Sequence, residues 1–263
     1  MMNSTTRNNL KKAVKILLSL LFWVSVWEIF ALLTNNNFLL PSVPTTANEL
    51  IIILKDISSY RVMLFTLLRV GCGLCIGIFS GIILGILCHK SSLLNTLVSP
   101  ALLVMKSTPV ASFIILLWII MSGDALSVFI AVLMVTPIVY QNVIDAYSSV
   151  DVNLSEVCDV FKFSKFKRFN LLIRPTLTAF LIPATITSAG LAWKAEIAAE
   201  IIAYTKNSIG QHINDAKFEM NMPRVFAWTI IVIVFSLLLE KTTKNIVWRL
   251  KNGNHNKKPH KTI

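Results

Sequence analysis

Residues 63–88 read MLFTLLRVGCGLCIGIFSGIILGILC. The run is apolar almost throughout, and its one charge is Arg69. It is longer than the roughly 20 residues an α-helix needs to cross a bilayer core of about 30 Å, so it reads as a membrane span. Gly73, Gly77, Gly81 and Gly85 recur at every fourth residue. On a helix that spacing puts all four on one face, where a neighbouring backbone can approach closely. Arg69 lies about two turns inside the run, near enough to its end to extend to the interface, and reads as an anchor. Cys72 and Cys75 form a CxxC pair, which elsewhere signals redox or zinc chemistry. Here no second ligand pair is near, and they read as small residues of a packed helix.

The rest of the chain repeats this character. Of its 263 residues 55% are hydrophobic and only 14% charged, where a soluble domain carries about a quarter. Further spans are read at residues 16–33, 98–121, 125–144, 176–204 and 225–239, which makes an all-α polytopic membrane protein with six transmembrane helices. The first follows Lys11, Lys12 and Lys15 and looks like a secretory signal, but no small-x-small cleavage site follows and Glu28 interrupts it, so it reads as retained. Residues 38–60 contain Leu40-Pro41-Ser42 and Pro44, then an amphipathic stretch, 47–55, with Thr45 or Thr46 as candidate cap. The third span is broken up by Pro100, Lys106 and Pro109, and Ser122-Gly123-Asp124 reads as a tight turn.

The net charge of +12 has to be read by position. With both termini in the cytoplasm, the cytoplasmic segments hold seventeen of the 25 Lys and Arg, the outer segments hold five, and Arg69, Lys106 and Lys194 lie within spans. Cytoplasmic loops retain Lys and Arg, so this bias sets the orientation in a cell membrane. Nucleic acid is excluded as a partner, because the basic residues sit at the ends of apolar spans rather than on one soluble face. The chain has no GxxxxGK[ST] phosphate loop, no Gly-rich nucleotide fingerprint, no HExxH and no Ser/His/Asp grouping. It reads as no enzyme and as binding no cofactor or metal itself; work driven by ATP would need a partner ATPase.

The longest charged segment between apolar runs is SEVCDVFKFSKFKRFNLLIRP, Ser155 to Pro175, which the orientation puts in the cytoplasm. Asp151 is a candidate cap for a helix over 152–161, and Ser164 for a second over 165–172. Phe166, Phe169 and Ile173 recur at helical spacing beside Lys165, Lys167 and Arg168. An apolar ridge with basic flanks suits a groove on a protein partner with an acidic rim. It equally suits an interfacial helix in anionic lipid.

A second group of charges lies inside the membrane: Lys106 in the third span and Lys194, Glu196 and Glu200 in the fifth. Glu196 and Glu200, four apart, share a helix face. A charge at the bilayer centre costs about 2.5–3.5 kcal/mol on insertion scales and faces a protein interior or a water-filled path. Two readings stand: these residues line a translocation path, or Lys106 pairs with Glu196 or Glu200 and fixes packing.

Glu156-Val157-Cys158, with Lys162 six residues after the Glu and Pro175 nineteen after it, resembles the EAA loop of ABC importer permeases. That loop has Glu-Ala-Ala, then a Gly, then Pro. Leu40-Pro41-Ser42 before a short helix, Thr66-Leu67-Leu68-Arg69-Val70 opening a Gly-rich span, and the run from Trp193 to Glu200 resemble the nitrate/sulfonate/taurine-type members of that group, over about residues 38–239. Two departures stand out. Lys162 replaces the Gly: either the turn keeps a left-handed backbone, which costs Lys about 1 kcal/mol or more, or it relaxes to another shape. Ser107-Thr108-Pro109, beside Lys106, stands where many relatives have Arg-x-Ile-Pro or Pro-x-Pro.

The resemblance implies a permease subunit in the cell membrane. Residues 1–15 would be a basic cytoplasmic tail, 16–245 the permease domain with its coupling loop at 151–175, and 246–263 a basic cytoplasmic tail, disordered over its last dozen residues. Glu156, Val157, Cys158, Lys162, Phe166 and Pro175 would serve coupling to a separate ATP-binding cassette ATPase, and Lys106, Lys194, Glu196 and Glu200 the path. The implied partners are two ATPase subunits, an extracytoplasmic solute-binding protein, a second copy of the chain in a homodimer, and the lipid bilayer. The implied solute is a small anion or organic acid such as a sulfonate or nitrate. The alternative is a membrane scaffold or regulator that binds lipid or a cytosolic partner through the basic-aromatic loop without transport.

Overall fold

The computed structural model describes residues 4–34 and 36–253, with side chains described for 14–34 and 36–249. The expected disordered end of the tail lies outside the described residues, apart from the last turn of the final helix. Among the described residues the regular structure is all helical: α1 (Ser4–Thr34), α2 (Val43–Lys55), α3 (Ile57–Lys90), α4 (Ser92–Ser107), α5 (Val110–Trp118), α6 (Gly123–Ser148), α7 (Val152–Val160), α8 (Lys165–Arg168), a π turn (Phe169–Ile173), α9 (Arg174–Ile202), α10 (Ile209–Phe218) and α11 (Met222–Gly253). Among the described residues five helices are long and apolar enough to cross a membrane, and the spans number six if the bent pair α4–α5 counts as one. The chain divides into two units, Met1–Tyr60 with His212–Ile231, and Arg61–Gln211 with Val232–Ile263.

In the first unit the cap of α2 is Ser42, not Thr45 or Thr46; its Oγ accepts from Thr45 N–H. Pro44 is tolerated in the first turn because its missing N–H would have no helical partner there. Glu28 of α1 accepts from Val43 N–H at 2.7 Å, and Trp27 Nε1 donates to Pro41 O at 3.0 Å. The Glu28 carboxylate therefore sits at the positive end of the α2 dipole. Arg224 reaches Glu49 and Glu219, each at 3.2 Å. His212 stacks on Trp228, and burial holds its imidazole below the ordinary range.

The second unit contains the glycine ladder, and α6 supplies its counterpart. A Cβ at Gly73, Gly77, Gly81 or Gly85 would lie 2.5–2.7 Å from the Cβ of Ala131, Val135, Val139 or Val143. Real side chains do not approach so closely, so four glycines against a facing row of equal spacing bring the two backbones together. Ser80 and Thr136 hydroxyls add an interhelical hydrogen bond of 2.8 Å. Cys72 and Cys75 are exposed, on the side of this packed helix away from the seam. α6 packs along α9 around Leu126, Ile130, Leu133, Ala195 and Ala199, with Ile114 of α5.

Three prolines of the unit act in different ways. Pro100 lies within α4 without ending it. Pro109 does end it, because the residue before a proline is pushed out of the helical region. Thr108 is extended (φ −78°, ψ 135°), and α5 leaves at 103° to α4. Pro175 breaks nothing. Its ring would crowd the carbonyl four residues back, and the helix widens ahead of it into the π turn, where Arg174 N–H reaches Phe169 O. The separate cytoplasmic helix and span expected from sequence are one continuous helix, Lys165–Ile202.

Candidate functional site

The first candidate centre gathers the beginnings of α3 and α6 and the end of α9. Arg69 is 7% exposed, and all three guanidinium nitrogens are engaged. Nε donates to Asp124 Oδ1 at 2.9 Å, and Nη2 lies 2.7 Å from the same oxygen. Nη1 donates to Glu200 Oε1 at 3.0 Å. Lys206 O and Asn207 O, in the turn after α9, accept from Nη2 and Nη1 at 3.0 and 3.3 Å. The anchor reading of Arg69 is overturned: it is a buried tie between three helices and a turn.

Glu200 is fully buried and fully used. Thr66 Oγ1 donates to it at 2.8 Å, and Gly210 N–H at 3.2 Å. Thr66 Oγ1 accepts in turn from Ile209 N–H at 3.1 Å. The carboxylate thus meets the first turn of α10, where free N–H groups and the helix dipole favour an anion. Gly210 is required by this approach, since a Cβ there would collide with the Glu200 side chain and backbone. Ser208 completes the turn by accepting from Gln211 N–H at 2.9 Å.

The sequence placed Glu196 and Glu200 on one face, and both are 0% exposed. It did not find their partner. The expected ion pair of Lys106 with Glu196 or Glu200 is not formed, because Arg69 occupies Glu200 and Lys106 is exposed at the α4–α5 break. Lys194 is exposed as well, with Glu240 among the charges near it. Glu196 stands apart: among the described residues neither of its carboxylate oxygens has a hydrogen-bond partner. Arg69, Asp124 and Thr66 are what sequence reasoning missed. The available signal was charge balance, an Arg inside one apolar run against two Glu inside another.

The second candidate centre is the loop between α6 and α9. Asp151 caps α7 by accepting from Asn153 N–H at 2.8 Å, and Ser164 caps α8 by accepting from Lys167 N–H at 3.3 Å, as expected. Lys162 lies between them at φ 48°. Its N–H reaches Asp159 O at 3.1 Å and Phe163 N–H reaches Cys158 O at 2.9 Å. This is a Schellman C-cap, whose C′ position calls for a left-handed residue. The turn has not relaxed around the lysine, and Lys bears the strain Gly would avoid. Arg168 pairs with Asp159 at 2.7 Å and donates to Ser155, tying α8 to α7. Cys158 and Leu172 are buried; Glu156, Val157, Lys162, Phe166 and Pro175 are exposed. The apolar surface differs from the expected ridge: Val160, Phe161 and Phe166 are the most exposed, while Phe169 is partly covered and Ile173 half-buried.

The profile of the family described as "Binding-protein-dependent transport system inner membrane component" matches residues 75–251, more than half of the chain. The chain belongs to that family. This inner membrane component is also 29% identical over 203 residues to the "Putative aliphatic sulfonates transport permease protein SsuC" of Bacillus subtilis (strain 168), which covers 74% of the chain and 69% of that protein. Among solved structures it is similar in fold to "Inward facing conformations of the MetNI methionine ABC transporter" in the CY5 native crystal form. The TM-score is 0.56 at 13% identity, over 72% of this chain and 92% of that one. The resemblance to ABC importer permeases read from residues 155–175 is thereby borne out. The matched segment holds Glu196, Glu200 and the whole α7–α8 loop, whereas Thr66 and Arg69 precede it.

Proposed function

We propose that this inner membrane component is the permease subunit of an importer for a small organic anion, of which a sulfonate is the foremost case. It works as a homodimer, with a separate ATP-binding cassette ATPase on the cytoplasmic face and an extracytoplasmic binding protein delivering the solute. The observation that carries this reading is the α7–α8 unit: a capped, ion-paired helix pair with exposed Val160, Phe161 and Phe166, beside Lys165 and Lys167, built into the helix that continues as α9. The surplus of Lys and Arg puts that unit in the cytoplasm with both termini. Apolar residues exposed there suit a groove on the ATPase. Glu156, Val157, Cys158, Lys162 and Pro175 serve the same coupling, Cys158 from within and Pro175 by joining the unit to α9. The permease domain spans residues 16–245, between basic tails at 1–15 and 246–263, and the chain binds no cofactor of its own.

The anion assignment rests on the relative above and on Lys106 and Lys194, which are exposed within the spans while Glu196 and Glu200 are buried. The lysines face the path in this reading, and the carboxylates act from behind it. Cells lacking other sulfonate uptake, supplied with this chain, its co-purifying ATPase and a binding protein, should accumulate labelled alkanesulfonate. Uptake should fall at least tenfold when Lys106 and Lys194 are both replaced by Met. ATP-dependent uptake that ignores those replacements, or that favours a cationic solute, would sink the anion assignment.

A further inference from the structure

The Arg69 centre contains one guanidinium and two carboxylates a single helical turn apart, Glu200 and Glu196. Glu200 accepts from Arg69, Thr66 and Gly210. Glu196 is as deeply buried, has no hydrogen-bond partner on either oxygen among the described residues, and feels the charges of Glu200, Arg69 and Asp124. A buried carboxylate with nothing to accept from is unexplained by packing, since a leucine would fill a similar volume without burying an unmet acceptor.

Helix geometry indicates where its partner comes from. Thr66 and Glu200 touch, so they mark one level of the antiparallel pair α3 and α9. Arg69 lies three residues further along α3, about 4.5 Å deeper, and Glu196 four residues back along α9, about 6 Å deeper. Because the helices run in opposite directions, both displacements point the same way. The Arg69 backbone therefore stands near the level of Glu196, and its side chain extends outward to reach Glu200, Asp124 and the turn.

We propose that Arg69 is a two-position latch. In the conformation described here it binds Glu200, Asp124 and the carbonyls of Lys206 and Asn207, and holds the turn after α9. In the other state of the transport cycle it pairs with Glu196 and lets that turn go. Arg69 and Glu196 are positioning residues in this scheme and need touch no solute. The inference rests on the reading of the chain as an ATPase-coupled permease.

The test is amide hydrogen exchange on the complex with its co-purifying ATPase, compared without nucleotide and after trapping with MgATP and orthovanadate. Residues 203–210 should exchange at least tenfold faster in one of the two states. Glu196→Gln should abolish that difference, keeping the turn protected in both, and Glu196→Asp should restore part of it. Glu196→Met serves as a second variant without a charge. Equal protection of 203–210 in both wild-type states overturns the latch, as does a Glu196→Gln or Glu196→Met variant that still shows the full difference. Residues 152–168 separate the two levels of the argument. If the ATPase does not protect them, the permease reading itself fails and the latch with it. If they are protected while 203–210 never changes, only the latch is wrong.

Discussion

Arg69 and Glu200 pair at 3.0 Å with side chains 8% and 0% exposed, away from solvent that could screen them. Such a pair adds little stability relative to a well-packed apolar one, but removing one partner leaves a buried charge and costs about 3–5 kcal/mol. Arg69→Met should therefore lower the unfolding midpoint of the purified protein by a loss of that size. Glu200→Gln alone keeps an acceptor for Thr66 and Gly210 and should cost less. Combined with Arg69→Met it should recover part of the loss, since Glu200 then carries no charge and the exposed Asp124 is met by solvent, while Glu196 stays buried. Strict additivity of the two single losses, measured by thermal unfolding in one lipid or detergent, would show that the pair is not coupled. The sequence disclosed these residues only one at a time. Arg69 and Glu200 are 131 positions apart, and nothing local to either names the other. Proximity to a helix end made an anchor of Arg69, whereas the fold turns the same side chain inward, because the turn after α9 offers carbonyls that lipid cannot. Lys162 is the opposite case. Its departure from the family's glycine was visible in the sequence, and so was the consequence of keeping the turn.

At the scale of elements, the features legible in the sequence were those that repeat or lie close together. The caps Asp151 and Ser164 sit next to the helices they start, and the four-residue glycine period needs only one helix to be seen. Its partner row on α6 is not legible in the sequence, because Ala131, Val135, Val139 and Val143 do not stand out in a run that is apolar all round. Ser42 is hidden as the cap of α2 because threonines follow within the first turn, and Pro175 reads as a boundary because a π turn leaves no sequence mark. The α3–α6 seam permits a direct test. At Gly77 a Cβ would lie 2.6 Å from Val135 Cβ and 3.4 Å from Val132 Cα, so helix backbone as well as side chain stands in the way. Gly77→Leu should destabilise by about 1–3 kcal/mol or more, as overpacking does. Gly71→Leu is the control: no atom lies within 4 Å of a Cβ there, so its effect should be small. Equal unfolding midpoints for the two variants would mean that the seam is not close-packed.

For the whole molecule, the decisive relation joins the two candidate centres. α9 ends in the Glu200 network and continues at its other end, through the π turn, into α8, so one helix from Lys165 to Ile202 connects the coupling loop to the Arg69 tie. A force applied to α8 by an ATPase would therefore reach Glu196 and Glu200 along one helix, whose soft places are the π turn and Pro183, which has no N–H to donate. This arrangement makes Phe166 a sharp probe. It is 76% exposed, so Phe166→Asp should leave the fold within about 0.5 kcal/mol of wild type, as surface changes away from packed features do. Placed at the centre of a docking surface, the same change should remove an aromatic anchor worth about 2 kcal/mol or more, a loss of binding of about thirtyfold. The expected pattern is an unchanged unfolding midpoint with the ATPase lost on purification and uptake lost with it. Arg168→Ala should differ in kind. It cuts the ties to Asp159 and Ser155 that hold α7 against α8, so it should weaken uptake more than it weakens binding. If Phe166→Asp binds the ATPase normally and transports at the wild-type rate, the α7–α8 surface is an interfacial lipid helix, and the contact with the ATPase must be sought elsewhere on the chain.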